Sequence, residues 1–147
     1  MSIAVCYLAR GVNGGLEKFK SFRESYVKHP AGQGHSLYIL AKGWDDQADY
    51  RQMQSMASAL DANVLDLPDD GLDWGAYMRA STIVLEEYLF FLNTHSKIKT
   101  DHWLAKIFRA YKDAGGGIIG CTGSIGSIRI QSSHLLRHAK DIAKISL

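Results

Sequence analysis

The sequence is poor in cysteine and proline, and it has neither a long apolar run nor an excess of one charge sign. The 147 residues include two prolines and two cysteines. Two cysteines can form at most one disulfide, which excludes a fold held together by several disulfides. No segment is apolar enough, over enough residues, to cross a bilayer, and the apolar N-terminus has no basic leader. We therefore expect a soluble, cytoplasmic protein without a transmembrane segment.

Charge and composition indicate which partners and which domain organisation to expect. A formal net charge of +2, with 22% charged residues of mixed sign, provides no basic stripe for a phosphate backbone, so nucleic acid is not an expected partner. A hydrophobic content of 46% predicts one domain over residues 1–147 with its own core. Cys6 and Cys121 fall in predicted strands, which favours two buried thiols over a disulfide or a metal pair.

Apolar runs alternate with stretches of helical periodicity along the chain. Glycine-rich or acidic turns separate these segments. The third helix is expected to bury Trp74, Tyr77, Met78 and Leu85. The predicted strands cover residues 2–8, 36–41, 63–67, 89–92 and 117–121, and the predicted helices cover residues 16–27, a segment with Tyr50, Met53, Ala57 and Leu60 on one face, 74–86, about 100–112, and a tail with Leu135, Ala139 and Ile142.

This alternation predicts an α/β fold with a Rossmann-like, mostly parallel sheet and helices on both faces. The fourth strand ends abruptly in the polar tip Asn93-Thr94-His95-Ser96, and Thr100 or Asp101 can cap the helix that follows. If the fourth strand pairs with the first on the side away from the second and third, Arg10 and this tip meet where ligands bind in such sheets.

The stretch from residue 88 to residue 104 also resembles a known family. An apolar strand leads into Asn93-Thr94-His95-Ser96, and a helix begins at Asp101-His102-Trp103-Leu104. The pattern is similar to the donor-binding half of nucleotide-sugar glycosyltransferases of the A-type fold, the family-2-like group, whose strand ends in Asp-x-Asp before a helix near Trp-Leu. The resemblance covers roughly residues 2–124, including Lys42-Gly43-Trp44-Asp45-Asp46, Asp70-Gly71-Leu72-Asp73-Trp74-Gly75-Ala76-Tyr77 and the strand at Gly117-Ile118-Ile119-Gly120.

The resemblance implies transfer of a sugar from a nucleotide-sugar donor to a glycan acceptor, and places Asn93 and His95 at the donor diphosphate. The family holds a divalent cation there with carboxylates, which suit magnesium or manganese. Here a neutral carbonyl and an imidazole replace the carboxylates. A cation at this point would have His95 as its ligand, and manganese is preferred because it tolerates a nitrogen ligand better than magnesium does. Alternatively, Asn93 and His95 only hydrogen-bond their own loop.

Three charged residues are further candidates for contact with the donor. Arg10 offers a fork of donors to phosphate oxygens, although an exposed arginine is often simply solvated. Asp70 and Asp73 lie in an acidic turn expected at the same sheet edge, and Asp73 is equally suited to cap the third helix.

The end of the second strand departs from the resembled family. The family commonly has an acidic residue there that reads the base, whereas this chain has Ala41-Lys42-Gly43. Asp45 or Asp46 either substitutes for that acid or caps the next helix, and we favour the cap.

No residue can be matched to the family's catalytic base, which follows the matched region. Three alternatives are open: the chain is a fragment that lacks the acceptor-binding half, a partner completes the site, or the protein transfers no sugar. The last makes it a catalytically inactive binding or assembly module. A rival motif, the glycine-rich run over residues 117–126, is reminiscent of a dinucleotide-binding turn but has no following strand and acidic residue, so we favour a plain loop.

Overall fold

Four strands alternate with four helices in residues 1–120, the part of the chain that the computed structural model describes. In chain order the elements are β1 (Ile3–Arg10), α1 (Gly15–Lys28), β2 (Ser36–Lys42), α2 (Gln47–Ser58), β3 (Asn63–Asp66), α3 (Leu72–Ile83), β4 (Tyr88–Leu92) and α4 (Trp103–Asp113). The α/β class is confirmed, and the first four strands lie where the apolar runs predicted them.

All four strands are parallel and form one open sheet in the order β3-β2-β1-β4. The central strand β1 pairs with β2 on one side and with β4 on the other, so that Tyr7 lies between Ile39 and Leu92. The chain first builds the sheet outward through β2 and β3, and then returns to the opposite side of β1. The predicted reversal of strand order between β1 and β4 is therefore confirmed.

Strand β1 is covered on both faces, which explains its unbroken apolar sequence. Val5 and Tyr7 face a core shared with α1, α2 and α4, in which the Tyr7 and Phe22 rings stack with centroids 3.8 Å apart. The intervening residues Ala4 and Cys6 face a second core, against α3. Successive residues of a strand point to opposite faces, so one strand organises both layers.

The predicted burial of Cys6 is confirmed. Its side chain is fully buried and forms no disulfide. Burial, with a smaller contribution from the charge of Glu86, raises the pKa of this thiol to about 12. Cys6 is thus an inert core residue.

The face that α3 presents to the sheet was predicted wrongly. Ala76 and Ala80 are fully buried, whereas Trp74 and Met78 are 71% and 55% exposed, and Leu85, beyond the helix end, is 92% exposed. Two residues along a helix correspond to a turn of about 200°, so burial of Ala76 turns Trp74 to the outside. Only Tyr77 of the four predicted residues packs inward, with its ring 4.8 Å from that of Phe91.

Two predictions near the end of the described chain also fail. Neither Thr100 nor Asp101 directly precedes α4, because the chain enters the helix through His102, which has a positive φ of 56°. The Asp101 carboxylate instead pairs with His29 Nδ1 at 2.7 Å. Residues 117–120 form no strand, and Ile118 is fully exposed. The remainder of the predicted fifth strand, Cys121, the rest of the glycine-rich run and the tail helix lie outside the described residues.

The sheet belongs to one compact unit, Met1–Arg109, and a second unit begins at Ala110. None of the helices in residues 1–120 combines the length and the apolar character needed to cross a membrane.

Candidate functional site

The carboxyl ends of the four strands share one edge of the sheet. Strand β1 ends at Arg10, β2 at Lys42, β3 at Asp66 and β4 at Leu92. Parallel α/β sheets bind ligands beyond this edge, where the strand order reverses. Here that point lies between the loop after Arg10 and the polar tip after Leu92.

A buried lysine organises one side of this edge. The Lys42 side chain is 1% exposed, and its ammonium group donates to the backbone oxygens of Asp70 and Leu72 at 2.9 and 2.8 Å. The same nitrogen lies 3.4 Å from Asp69 Oδ1. Three acceptors therefore satisfy the three donors of the ammonium group, and the acidic turn is tied to the end of β2.

Asp69 also draws Arg10 into this cluster, which the sequence prediction missed. Arg10 Nη2 lies 3.3 Å from Asp69 Oδ1, and Arg10 Nε is buried without a hydrogen-bond partner. Burial of Asp69 acts to raise its pKa, but the hydrogen bonds and charges of Arg10 and Lys42 outweigh burial and hold the pKa below its usual value of 3.8. The expectation that the acidic turn and Arg10 share an edge is met through Asp69.

Asp70 and Asp73 have other surroundings. The Asp70 carboxylate forms a two-pronged ion pair with Arg79, with Nη2 to Oδ2 at 2.9 Å. The predicted cap at Asp73 is wrong, because Gly71, with φ of 62°, occupies the N-cap position and Asp73 lies in the first turn of α3. No contact brings either carboxylate to Arg10 in the described part of the chain.

Local hydrogen bonds and one bond from β1 hold the polar tip after β4. Asn93 Oδ1 accepts from the His95 backbone nitrogen at 3.0 Å and from Ser96 Oγ at 3.1 Å. The buried Tyr7 hydroxyl donates to the Thr94 backbone oxygen at 2.8 Å, which fixes the tip to β1. The loop-stabilising interpretation therefore holds for the Asn93 side-chain oxygen. Asn93 and His95 are both exposed.

The polar tip offers few ligands to a cation. The side-chain oxygen of Asn93, its one metal-binding atom, already accepts two hydrogen bonds. Among residues 1–120, no group of three or more histidine, cysteine, aspartate or glutamate side chains is placed to hold a metal ion. Of the other side-chain groups at the tip, the Asn93 amide nitrogen can donate to an anion but cannot bind a cation, whereas the His95 imidazole can meet either.

Trp44 closes the edge between β1 and β2. Its indole nitrogen donates to the Ala9 backbone oxygen at 2.8 Å, and the Gly11 nitrogen donates to the Lys42 oxygen at 2.9 Å. A Cβ on Gly11 would lie 2.5 Å from the Gly43 oxygen, so the close approach requires glycine. The adjacent helix α2 begins at Gln47, and Asp46 occupies its N-cap position. The Asp46 carboxylate accepts hydrogen bonds from the backbone nitrogens of Ala48 and Asp49, so the predicted cap is confirmed.

A cavity of about 260 Å³ lies beyond Trp44, at the ends of β2 and β3. Trp44, Tyr50 and Asp66 are among the residues that line it, and the Tyr50 hydroxyl donates to Asp66 Oδ1. Burial, followed by this hydrogen bond, raises the pKa of Tyr50 to about 12. Tyr50 therefore stays a donor at neutral pH.

Comparison with known proteins adds no family. No protein-family model matches the chain, and no curated protein sequence matches it either.

Proposed function

We propose that this α/β domain binds a nucleotide-sugar donor at the carboxyl edge of its sheet and transfers the sugar to a glycan acceptor. One observation carries the proposal: Arg10 and the tip Asn93–Ser96 leave the adjacent parallel strands β1 and β4 at the point where the strand order reverses. The ordered resemblance to A-type glycosyltransferases supports the choice of donor.

The available donors fit a diphosphate. The Arg10 side chain is 36% exposed, and it contacts Asp69 through Nη2. We expect the other terminal nitrogen, Nη1, to meet the ligand. The Asn93 amide nitrogen and the exposed His95 ring lie on the neighbouring strand end. Charge-assisted hydrogen bonds from a guanidinium to phosphate oxygens are stronger than neutral ones, so Arg10 supplies most of the expected affinity and Asn93 and His95 orient the ligand.

A second function is a binding or assembly module that holds the sugar nucleotide without transferring the sugar. The occupied Asn93 oxygen favours it, because a cation against the diphosphate would normally neutralise the leaving group. Transfer also needs a base within reach of the acceptor hydroxyl, and we assign none in residues 1–120.

Thermal unfolding with a panel of sugar nucleotides, with and without manganese, tests donor binding. A ligand that binds only the native state must raise the unfolding temperature by mass action. We expect a rise with at least one nucleotide sugar, reduced in Arg10→Gln and kept in the control Arg51→Gln, which changes an exposed arginine of α2. Unchanged unfolding with every donor would contradict the proposal, and donor hydrolysis or transfer then separates the enzyme from the binding module.

A further inference from the structure

The cavity at the ends of β2 and β3 is walled by two aromatic rings that are fixed by hydrogen bonds at their polar ends. Trp44 is held through its indole nitrogen by Ala9, and Tyr50 through its hydroxyl by Asp66. The two ring centroids are 6.2 Å apart, with the planes inclined at 48°. An aromatic ring held in place in this way can stack against a planar heterocycle, since bases stack on aromatic side chains with little sequence preference.

One carboxylate gives the cavity a preference in hydrogen bonding. Asp66 is exposed, and its Oδ1 accepts from Tyr50. Within residues 1–120 we find no other side-chain hydrogen bond or ion pair to this carboxylate, so it can accept from a ligand. An ionised carboxylate only accepts hydrogen bonds. Guanine presents two adjacent donors, N1–H and the 2-amino group, whereas uracil flanks its single donor with two carbonyl oxygens, and adenine and cytosine place a ring acceptor beside their amino groups.

The position of the cavity suits the base of a ligand whose phosphates lie near Arg10. Asp66 pairs in register with Ala41 on β2, and Arg10 pairs with Lys42 across β1 and β2. Asp66 and Arg10 thus lie two strands apart, about 10 Å at the usual strand spacing. A nucleoside diphosphate extended along the sheet edge covers a distance of that order.

We propose that this cavity is a base-specificity site in which Asp66 selects guanine, so that the ligand class is a guanosine diphosphate or its sugar ester. This inference rests on the proposed function and adds the identity of the base to it. Tyr50 acts as a positioning residue, because its hydroxyl orients the Asp66 carboxylate.

Calorimetric titration of the full chain with GDP, UDP, CDP and ADP tests the assignment. We expect GDP to bind at least about tenfold more tightly than the other three, the size of one hydrogen bond to a charged group. Asp66→Asn keeps an acceptor for Tyr50 but puts an amide donor in the site, and should lower GDP affinity roughly tenfold while changing UDP affinity by less than about threefold. Asp61→Asn, at an exposed turn with positive φ that asparagine tolerates, is the matched control.

Tyr50→Phe provides a second variant, which removes the hydroxyl but keeps the ring. It should reduce the preference for GDP over UDP without reducing UDP binding. Equal binding of all four diphosphates, or a GDP preference that survives both variants, overturns the guanine assignment and leaves donor binding intact. Binding of none of the four overturns both the assignment and the proposed function.

Discussion

The two sides of the sheet edge use polar residues in different ways. On the β2–β3 side, Lys42 is buried and reaches backbone oxygens 28 and 30 residues away in sequence. On the β4 side, the Asn93 side chain accepts hydrogen bonds from groups two and three residues away, and the residue stays exposed. A polar residue at a strand end can therefore be a structural tie or an accessible ligand group, and the reach of its contacts distinguishes the two.

The difference also separates stability from binding. Removing a buried, fully paired charge leaves its acceptors without partners in a low-dielectric environment, which is costly. Removing an exposed side chain lets water take over the lost contacts. Substitutions on the two sides should therefore differ in how far they lower the free energy of unfolding.

The largest expected effect is that of Lys42→Met. The change leaves the Asp70 and Leu72 carbonyl oxygens without their hydrogen-bond donor and removes one of the two cations beside Asp69. We expect the free energy of unfolding to fall by about 3 kcal/mol, measured by urea denaturation. Lys97→Met, in the exposed loop after β4, is the control and should change it by less than about 0.5 kcal/mol. Equal effects of the two variants would remove the distinction between the two sides.

A smaller effect, and one that depends on pH, is expected at Asp69. Because Arg10 and Lys42 hold its pKa below 3.8 in the folded protein, the folded state binds fewer protons than the unfolded state. The stabilisation is thus present above the ordinary aspartate pKa and is lost as the pH falls through the folded value. Wild type should be more stable than Asp69→Asn at neutral pH, and the gap should close in acid. A gap that is constant with pH would show that charge is not its cause.

The smallest effect is that of Asn93→Ala. It removes two local hydrogen bonds in an exposed loop, so the free energy of unfolding should fall by less than about 1 kcal/mol. Sugar-nucleotide binding by calorimetry should weaken in this variant and in His95→Ala. A large loss of stability with unchanged binding would make the β4 tip a structural tie like the other side.

The sheet could be predicted from the sequence because its signals are local. Uninterrupted apolar runs such as Val5–Leu8 mark strands buried on both faces, and glycine-rich turns mark their ends. Parallel pairing then places every strand end on one edge, so the joint location of Arg10 and the β4 tip followed from topology alone.

The partners within the site could not be predicted, because they depend on the angle at which each loop returns to the sheet. Asp69, Asp70 and Asp73 are chemically alike and close in sequence, yet of their three carboxylates it is that of Asp69 that pairs with Arg10 and Lys42. The buried face of helix α3 was predicted wrongly for a related reason. Two alanines permit close packing on the sheet, which overrode the preference of Trp74 for burial. The sequence signal for this buried lysine was a single charge, Lys42, at the end of an apolar strand.

Donor binding at the β1–β4 edge is tested most directly by nuclear magnetic resonance. Isotope-labelled protein would be titrated with the sugar nucleotide that raises the unfolding temperature most. The account predicts backbone amide shifts concentrated at residues 10–15 and 93–96, with little change at the opposite strand ends, Ile3 and Tyr88. Amide shifts centred on those opposite ends, or none with any sugar nucleotide, would contradict it.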